Sequence, residues 1–460
     1  MKLDLKELTG IAVSTTGNIE NTVIHEVTKD SRQTSPQSLY IPISGEKFDG
    51  HRFLMQAIEQ GAVASLWKEG TPLPEGLESS FPLLYVKDTV ESLQQMAKLY
   101  LRKIKPVVIA VTGSNGKTTT KDLLEAVVST SFKTHKTQGN YNNHIGLPLT
   151  ILSMENDTEV IILEMGMSNF GEISLLSRLS EPDLAIVTNI GESHIEYLGS
   201  REGIAKAKLE IKDGLKESGL LIVDGDEPLL QHLSSPHILK CGYGEDCTVK
   251  IVNQDGDEDG FTFELEGENM VYSLPLLGTH NVKNAAYAIA VGHYLNIEDS
   301  AINEGLKNLK LTNMRLEKYR GLNGALLIND AYNASPTSMA AAIEAVKGLQ
   351  NYKRKAVVLG DMYELGPTEE KMHRGVAEYI DAEITDVIAI GEKGKWIGEE
   401  VLKKGKPGLN VSIFNKKEEA SDAIRSLLSK DTAVLFKASR GMALETIIKP
   451  FIEDVQEAGK

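Results

Sequence analysis

A strand-like run that ends in a glycine-rich turn is the segment of this sequence best suited to chemistry. The apolar residues 107–111 lead into Thr-Gly-Ser-Asn-Gly-Lys-Thr at 112–118, which opens a helical pattern. In such a loop, backbone N–H groups can point at nucleotide phosphates, a lysine can reach the β- and γ-phosphates, and a threonine hydroxyl can bind magnesium. We therefore expect a nucleotide site formed by Gly113, Ser114, Asn115, Gly116, Lys117, Thr118 and Thr119.

This loop is shorter than the common phosphate-binding loop. Val111 stands where the pattern G-x-x-x-x-G-K-[ST] has its first glycine. A compressed loop of this kind is typical of ligases that activate a carboxylate with ATP. The alternative is a plain glycine turn followed by a surface lysine.

Two ionisable residues follow apolar strands farther along the chain. Glu164 ends the run 160–163, and His194 lies in the loop after the run 184–187. A carboxylate at the carboxyl end of a strand is well placed to hold magnesium, and a histidine there could serve a second metal ion. The alternatives are a capping or salt-bridged glutamate and an ordinary polar loop histidine.

Lys208 occupies an unusual position. Ser200 can cap a helix in which Ile204 and Ile211 recur at helical spacing, and Lys208 falls on the same apolar face. A lysine that points inward is costly unless it is paired or chemically modified. The alternative is snorkelling, in which the aliphatic stem packs and the amine reaches water.

Amide side chains concentrate in two further places. The loop 137–148 contains Asn140, Asn142 and Asn143, which could bind a neutral polar part of a substrate or surround a phosphate, although asparagine also favours turns. Asn281 and Asn284 lie one turn apart at the start of an alanine-rich helix. They could hydrogen-bond an adenine edge, or simply cap the helix.

The last third of the chain places charged residues of both signs at strand ends. Its predicted strands are 325–328, 356–359, 387–390 and 433–436. Arg315 precedes the first of them and could clamp a γ-phosphate. Charged residues also follow two other predicted strands, in the segments 361–366 and 437–441. We expect these strand ends to form a rim that faces the phosphate loop. Surface charges without function are the alternative. The segment that follows the first predicted strand contains Asp330, Tyr332, Asn333 and Ser335.

The elements that must position these residues form an α/β pattern. Strands alternate with helices from residue 106 onward, which predicts a doubly wound parallel sheet in a central domain and a second α/β domain after it. Shorter strands and a helix predict a small N-terminal α/β domain, and the acidic run 255–260 predicts a hairpin turn. We place the domains at 1–86, 87–313 and 314–460.

Composition excludes several classes of protein. The 460 residues are 41% hydrophobic and 25% charged, as in globular proteins, and the net charge of −16 disfavours general affinity for nucleic acid or anionic membranes. No run of about 20 apolar residues predicts a membrane span, and the N-terminus lacks a signal-peptide pattern. Cys241 and Cys247 fit free thiols in a reducing cytoplasm.

Taken together, these segments resemble the Mur ligase family, whose members make peptide bonds in bacterial cell-wall precursors. The resemblance runs from about Ser31 to Arg440 and rests on the phosphate loop, Glu164, His194, Lys208, the segment 278–284 and Arg315. The segments 163–173, 329–336 and 358–366, with Asp-Ser-Arg at 30–32 and Phe-Asp-Gly-His at 48–51, resemble the member that adds D-alanyl-D-alanine.

The resemblance implies roles for particular residues. Lys208 would be carbamylated and would serve a second magnesium ion with His194, whereas Thr118 and Glu164 would serve the first. Asp330 would contact the ATP ribose region, and Ser31 and Arg32 would lie near the uridine end of the substrate. Met167 and Ser168 depart from the more polar residues common in their segment, so we assign them no role.

The resemblance also implies the reaction. The N-terminal domain would bind the UDP substrate, the central domain ATP, and the C-terminal domain would close over ATP and bind the amine. The enzyme would join D-alanyl-D-alanine to a UDP-N-acetylmuramoyl tripeptide through an acyl phosphate. This step belongs to peptidoglycan synthesis and thereby to cell shape, cell cycle and division. We expect a cytoplasmic monomer that uses ATP and two magnesium ions.

Three alternatives differ in chemistry. Another Mur-type or folylpolyglutamate-type ligase would differ in its amine substrate. A nucleotide-dependent switch would turn ATP over slowly whether or not an amine is present. A kinase would leave the phosphate on its product.

Overall fold

The computed structural model describes residues 2–45 and 48–453. The backbone packs as two compact units. The first takes the chain up to residue 112 together with 131–185 and 210–220, and the second takes 113–130, 186–209 and the chain from 221 onward.

Short elements build the N-terminal part of the first unit. They are β1 (Leu3–Asp4), β2 (Ser14–Thr16), β3 (Val23–Ile24), β4 (Glu26–Thr28), β5 (Ser38–Tyr40), β6 (Ser44–Gly45), β7 (Phe48–Asp49), α1 (Leu54–Glu59), β8 (Ala62–Lys68), β9 (Leu83–Val86), α2 (Thr89–Ile104) and β10 (Val107–Thr112). Five of the strands form a sheet in the order β2-β9-β8-β5-β4, in which only the β2–β9 pair is antiparallel. Asp88 begins α2 because its carboxylate accepts the N–H groups of Val90 and Glu91.

The middle of the chain continues with longer strands and helices. They are α3 (Lys117–Val128), β11 (Thr134–Lys136), α4 (Gly146–Ser153), β12 (Val160–Glu164), α5 (Glu172–Ser180), β13 (Leu184–Val187), α6 (Ile195–Leu198), α7 (Arg201–Leu209), β14 (Leu220–Asp224), β15 (Ile238–Gly242), β16 (Val249–Gly256), β17 (Phe261–Leu265), β18 (Val271–Leu274), α8 (Thr279–Tyr294) and α9 (Asp299–Lys307). In the first unit, β12 pairs in parallel with both β10 and β11. In the second unit, β14, β15 and β16 are parallel, and β16, β17 and β18 then form an antiparallel meander.

The last part of the chain belongs to the second unit. Its elements are β19 (Glu317–Arg320), β20 (Leu326–Asn329), α10 (Pro336–Lys347), β21 (Arg354–Leu359), α11 (Glu369–Gly375), β22 (Asp386–Ile390), α12 (Lys395–Lys404), β23 (Asn410–Phe414), α13 (Ser421–Leu427), β24 (Thr432–Lys437) and α14 (Glu445–Ile448). The strands form one sheet in the order β19-β20-β24-β21-β22-β23, parallel except for β19.

Both faces of this last sheet are buried, which explains its continuous apolar strands. Along β21, Val357 and Leu359 join one apolar core, whereas Ala356 and Val358 join another. Successive side chains of a strand point to opposite faces, so the two cores lie on opposite sides of the sheet. Sheets covered on both faces are the ones that tolerate parallel strands.

The described elements differ from the sequence prediction in several places, among them the following. β19 and β23 lay outside the predicted strands, because Glu317–Arg320 is highly charged and Asn410–Phe414 follows a polar loop. The predicted helix through Lys208 changes at residue 210 into a 3-10 helix, Glu210–Gly214. The hairpin expected around 255–260 is confirmed, since β16 and β17 flank the turn.

Candidate active site

Two glycines give the phosphate loop its path. Gly116 has φ +82°, and a Cβ there would lie 3.0 Å from Asn284 Oδ1; a Cβ at Gly113 would lie only 1.8 Å from Thr188 Oγ1. A side chain at either position would therefore collide with a neighbour. The glycines that the sequence pattern singled out are required because the loop backbone passes close to Thr188 and Asn284.

Hydrogen bonds from the segment after β13 hold the loop in place. Asn115 N donates to Asn189 Oδ1 at 2.8 Å, Ser114 N donates to the Asn189 carbonyl at 3.2 Å, and Gly191 N donates to Ser114 Oγ at 2.9 Å. Thr188 Oγ1 donates to the Asn115 carbonyl at 2.6 Å. The loop is thus fixed before any nucleotide binds, which lowers the entropy cost of binding.

Lys117 and Thr118 begin α3, as the sequence predicts. The Lys117 ammonium donates to the Gly113 carbonyl at 2.8 Å, so its side chain folds back over the loop. Thr118 is buried at the first turn of the helix. The dipole of α3 adds a positive electrostatic potential at this end of the helix.

Arg315 reaches this loop from the segment before β19. Its Nη2 donates to Thr118 Oγ1 at 3.2 Å, and its guanidinium lies 4.1 Å from the centroid of the Tyr332 ring. Its Nε is buried and makes no hydrogen bond. The structure therefore brings together the arginine, the tyrosine and the threonine that the sequence named separately.

Lys208 is the most unusual group of the second unit. Its side chain is only 1% exposed, so snorkelling is excluded. Burial, and then the positive charge of Lys117, hold the pKa of the Lys208 amine well below its ordinary value. No carboxylate forms an ion pair with it in the described part of the chain. The protonated form of this amine is therefore disfavoured where it stands.

His194 lies at the start of α6 in the left-handed region, with φ 64°. Its Nδ1 lies 2.6 Å from Glu364 Oε2, and this contact is the main cause that lowers the pKa of Glu364. This Nδ1 contact is a close ion-pair contact and not a well-aligned hydrogen bond, and Nε2 remains as the ring nitrogen for another ligand. Such a carboxylate–histidine pair is how proteins orient metal-binding imidazoles.

Further contacts join the same loops. Ser335 Oγ accepts the N–H of Ser338, which caps α10, and donates to Asn115 Oδ1 at 3.2 Å. The Thr337 hydroxyl donates to the Glu192 carboxylate. Ser335 thereby contacts the phosphate loop, and Thr337 contacts the segment that follows β13.

Asp330 is held by a buried lysine. Lys437 Nζ lies 2.6 Å from Asp330 Oδ2 and donates to the Asn333 carbonyl at 3.0 Å. Asp330 Oδ1 also accepts the N–H of Leu316 at 3.3 Å. Asp330 therefore fixes the backbone beside Arg315; its predicted contact with the ATP ribose stays a prediction.

Asn281 and Asn284 are buried and bonded to each other. Asn284 Nδ2 donates to Asn281 Oδ1 at 2.9 Å, and Asn281 Nδ2 donates to the Leu277 carbonyl at 2.8 Å. Gly278, not an asparagine, caps α8. Asn284 lies against Gly116, so it supports the phosphate loop, and adenine recognition stays a prediction.

In the first unit, Glu164 ends β12 and is 3% exposed. Its Oε1 accepts Asn142 Nδ2 at 2.9 Å, and its N–H donates to Thr137 Oγ1 at 3.0 Å. Asn143 Oδ1 accepts the N–H groups of Ile145 and Gly146 before α4, which is the turn role that asparagine favours. The structure therefore connects Asn142, but not Asn143, to the predicted metal ligand.

The predicted uridine-side pair is also in the first unit. Ser31 is buried and donates to Gln56 Oε1 at 2.8 Å. The Arg32 side chain is 76% exposed and forms an ion pair with Asp30 at 2.8 Å, which lowers the pKa of Asp30 to about 2. Asn140 is exposed in the loop before Asn142.

Sequence reasoning missed three supporting residues. Thr188 and Asn189 lie in the strand-end segment that drew attention only for His194, and a threonine and an asparagine directly after a strand were the available signal. Glu364 lies in the predicted rim, but its partner His194 is far away in sequence.

Within the described residues, no helix is long and apolar enough to cross a membrane. Cys241 and Cys247 are free thiols, as predicted.

Comparison with known families accounts for most of the chain. The description "Mur ligase middle domain" matches residues 111–292, "Mur ligase, glutamate ligase domain" matches 314–440, and "Mur ligase family, catalytic domain" matches 23–101. The matched segments cover more than half of the sequence. They include the phosphate loop, His194, Lys208 and Arg315.

Individual relatives agree with these matches. The UDP-N-acetylmuramoyl-tripeptide–D-alanyl-D-alanine ligase of Bacillus subtilis is 47% identical over 98% of this chain and 99% of its own length. The crystal structure of MurF from Acinetobacter baumannii matches with a TM-score of 0.86 and 28% identity, covering 98% of both chains. MurF ligase from Thermotoga maritima in complex with ADP matches with a TM-score of 0.81 and 26% identity, covering 92% of this chain and 96% of that one.

Proposed function

The chain belongs to the Mur ligase family, with the family's three-domain α/β fold, and from that premise we propose that it joins D-alanyl-D-alanine to UDP-N-acetylmuramoyl tripeptide. It is an ATP-dependent ligase that forms a C–N bond. The relative from Bacillus subtilis carries the name of this reaction and aligns along nearly the whole chain. The structural observation that carries the proposal is the phosphate loop, where Lys117 folds over the loop and Arg315 reaches Thr118, so that two cations stand where the phosphates of ATP would bind.

The reaction needs activation because an amine does not attack a free carboxylate at a useful rate. The carboxylate of the tripeptide attacks the γ-phosphorus of ATP, which gives an acyl phosphate and ADP. The amine of D-alanyl-D-alanine then attacks the acyl carbon, and phosphate leaves from the tetrahedral intermediate. Each round therefore consumes one ATP and releases one phosphate.

The residues of the phosphate loop have distinct parts in this proposal. The loop N–H groups and the Lys117 ammonium bind the β- and γ-phosphates, and the Arg315 guanidinium balances the negative charge that spreads over the transferring phosphoryl group. Tyr332 and Thr118 hold Arg315 at the loop. Ser335 and Thr337 bind the loops around the site, and we propose that closure there excludes water, which would otherwise hydrolyse the acyl phosphate.

These residues also suit the magnesium ions that the resemblance implies. Magnesium prefers oxygen ligands, and a carbamate on the buried Lys208 amine would supply a pair of oxygens. We propose that carbamylated Lys208 and His194 hold one ion, and that Thr118 and Glu164 serve the other. Bound magnesium supplies charge neutralisation for the phosphates. Glu364 orients His194, and Asn142 orients Glu164.

Several finer assignments remain predictions. They are the domain boundaries, the substrate roles of Ser31, Arg32, Asn140, Asn143, Tyr332, Asn333 and Ser335, and the expectation of a cytoplasmic monomer.

The test is phosphate release from magnesium-ATP with UDP-muramoyl tripeptide, with and without D-alanyl-D-alanine. Release that requires both substrates, with a product heavier by the dipeptide, is the expected result. Release that is indifferent to the dipeptide would remove the assignment and favour another ligase or a nucleotide-dependent switch. L-alanyl-L-alanine is the matched control, because it has the same mass and differs only in configuration.

A further inference from the structure

The segment that carries Arg315 is held at its start by a residue with no assigned role. Asp122 lies on α3, is fully buried, and accepts the backbone N–H of Thr312 on Oδ2 at 2.7 Å. Its other oxygen lies 3.6 Å from the buried ammonium of Lys121. A buried carboxylate that accepts a backbone N–H makes a strong, charge-assisted hydrogen bond.

Asp122 and Thr118 lie four residues apart on the same helix, so they share one face of α3. Thr118 accepts the Arg315 side chain, and Asp122 accepts the backbone three residues before Arg315. One face of the phosphate-loop helix therefore contacts the segment 312–315 at two points. Any shift of the backbone at Thr312 would be transmitted to the guanidinium.

The backbone on either side of Arg315 is strained. Met314 has φ 64° and Leu316 has φ 49°, a region that residues other than glycine rarely adopt. Such conformations persist only where the surroundings impose them. Here Glu317 accepts the N–H of Met314 at 2.9 Å and Asp330 accepts that of Leu316 at 3.3 Å, so three carboxylates hold this short segment.

We propose that Asp122 is a positioning residue that sets the reach of Arg315 toward the γ-phosphate. The inference rests on the proposed function, because it takes the clamp role of Arg315 from there. Asp122 acts through the backbone of Thr312 and does not touch the nucleotide. Its loss leaves the phosphate loop and Lys117 in place.

The test compares two nucleotides, ADP and the non-hydrolysable analogue AMP-PNP, by calorimetry in the presence of magnesium. We expect Asp122→Ala to weaken AMP-PNP binding about tenfold, which is the typical effect of one lost buried hydrogen bond, and to leave ADP binding unchanged. Asp122→Asn keeps an acceptor oxygen and should recover most of the affinity. Thr312→Ala keeps the backbone N–H and should bind both nucleotides as the parent does.

A double-mutant cycle separates positioning from general damage. In an Arg315→Ala background, Asp122→Ala should have less than about a twofold further effect on AMP-PNP binding, since the group on which it acts is gone. Asp386→Ala is the matched control: it removes a buried carboxylate paired with Arg354 at 2.7 Å in the C-terminal sheet. It should lower the melting temperature without changing the ratio of the two affinities.

Equal losses for ADP and AMP-PNP, or losses from Asp122→Ala and Arg315→Ala that multiply, would overturn the proposal. These readouts need no amine substrate. If the parent enzyme fails to release phosphate with D-alanyl-D-alanine, the proposed function fails while the nucleotide comparison still decides the role of Asp122.

Discussion

Lys208 and Lys437 are both buried in the second unit, with exposed fractions of 1% and 2%, but their surroundings differ. Lys437 lies 2.6 Å from Asp330, and this carboxylate opposes the lowering of the pKa of Lys437 by burial. Lys208 has Lys117 as its charged neighbour, which lowers the pKa of Lys208 further. A paired buried lysine supports structure, whereas an unpaired one is a stability cost that persists where function requires it.

The largest expected effect comes from removing the unpaired lysine. Lys208→Met should reduce ligase turnover at least about 10³-fold, since a metal-binding carbamate can no longer form. Its melting temperature should stay equal to or above that of the parent, because no ion pair is lost. Turnover and thermal unfolding of the same sample measure both effects. Near-normal turnover in this variant would contradict a role for a carbamate on Lys208.

The paired lysine should show the opposite pattern. Lys437→Met leaves Asp330 without its partner and should lower the free energy of unfolding by about 3–5 kcal/mol, as measured by urea unfolding. Removing both charges in Lys437→Met with Asp330→Asn should restore part of this stability. Equal free energies of unfolding for the single and double variants would contradict the expectation that an unpaired Asp330 charge causes the instability.

Removing Glu364, the carboxylate beside His194, should have a smaller effect on activity than removing Lys208. Glu364→Ala should raise the magnesium concentration needed for half-maximal activity about tenfold, because an outer partner of a metal-binding histidine is lost. Glu370→Ala, which removes a surface partner of Arg374, is the control and should leave the magnesium requirement unchanged. Equal requirements in both variants would contradict a role for Glu364.

The mildest test changes pH alone. Burial lowers the pKa of Lys208, which favours the neutral amine, and the amine becomes protonated as the pH falls through its lowered pKa. A protonated amine cannot hold carbon dioxide, so activity should fall with decreasing pH, and added bicarbonate should restore it severalfold near neutrality. A pH profile that is insensitive to bicarbonate would argue that no carbamate is formed.

The same contrast explains what the sequence could predict. The phosphate loop was evident because glycines, lysine and threonine stand at fixed local spacing, and Lys208 was evident because it interrupts an apolar helix face. Glu364 and Asp122 were not, since each acts on a residue far away in the chain. Asn143 is predicted to bind substrate, and its side chain also completes a turn, a role that the same residue type favours; the substrate role stays a prediction. Local patterns therefore predict the reacting groups better than the residues that position them.

The most direct test of the carbamate on Lys208 is carbon-13 NMR of the enzyme in ¹³C-labelled bicarbonate at neutral pH. If Lys208 is carbamylated, we expect one carbamate resonance in the parent that fades on acidification and is absent from Lys208→Met. A parent spectrum without this resonance, or a resonance that persists in Lys208→Met, would contradict the account.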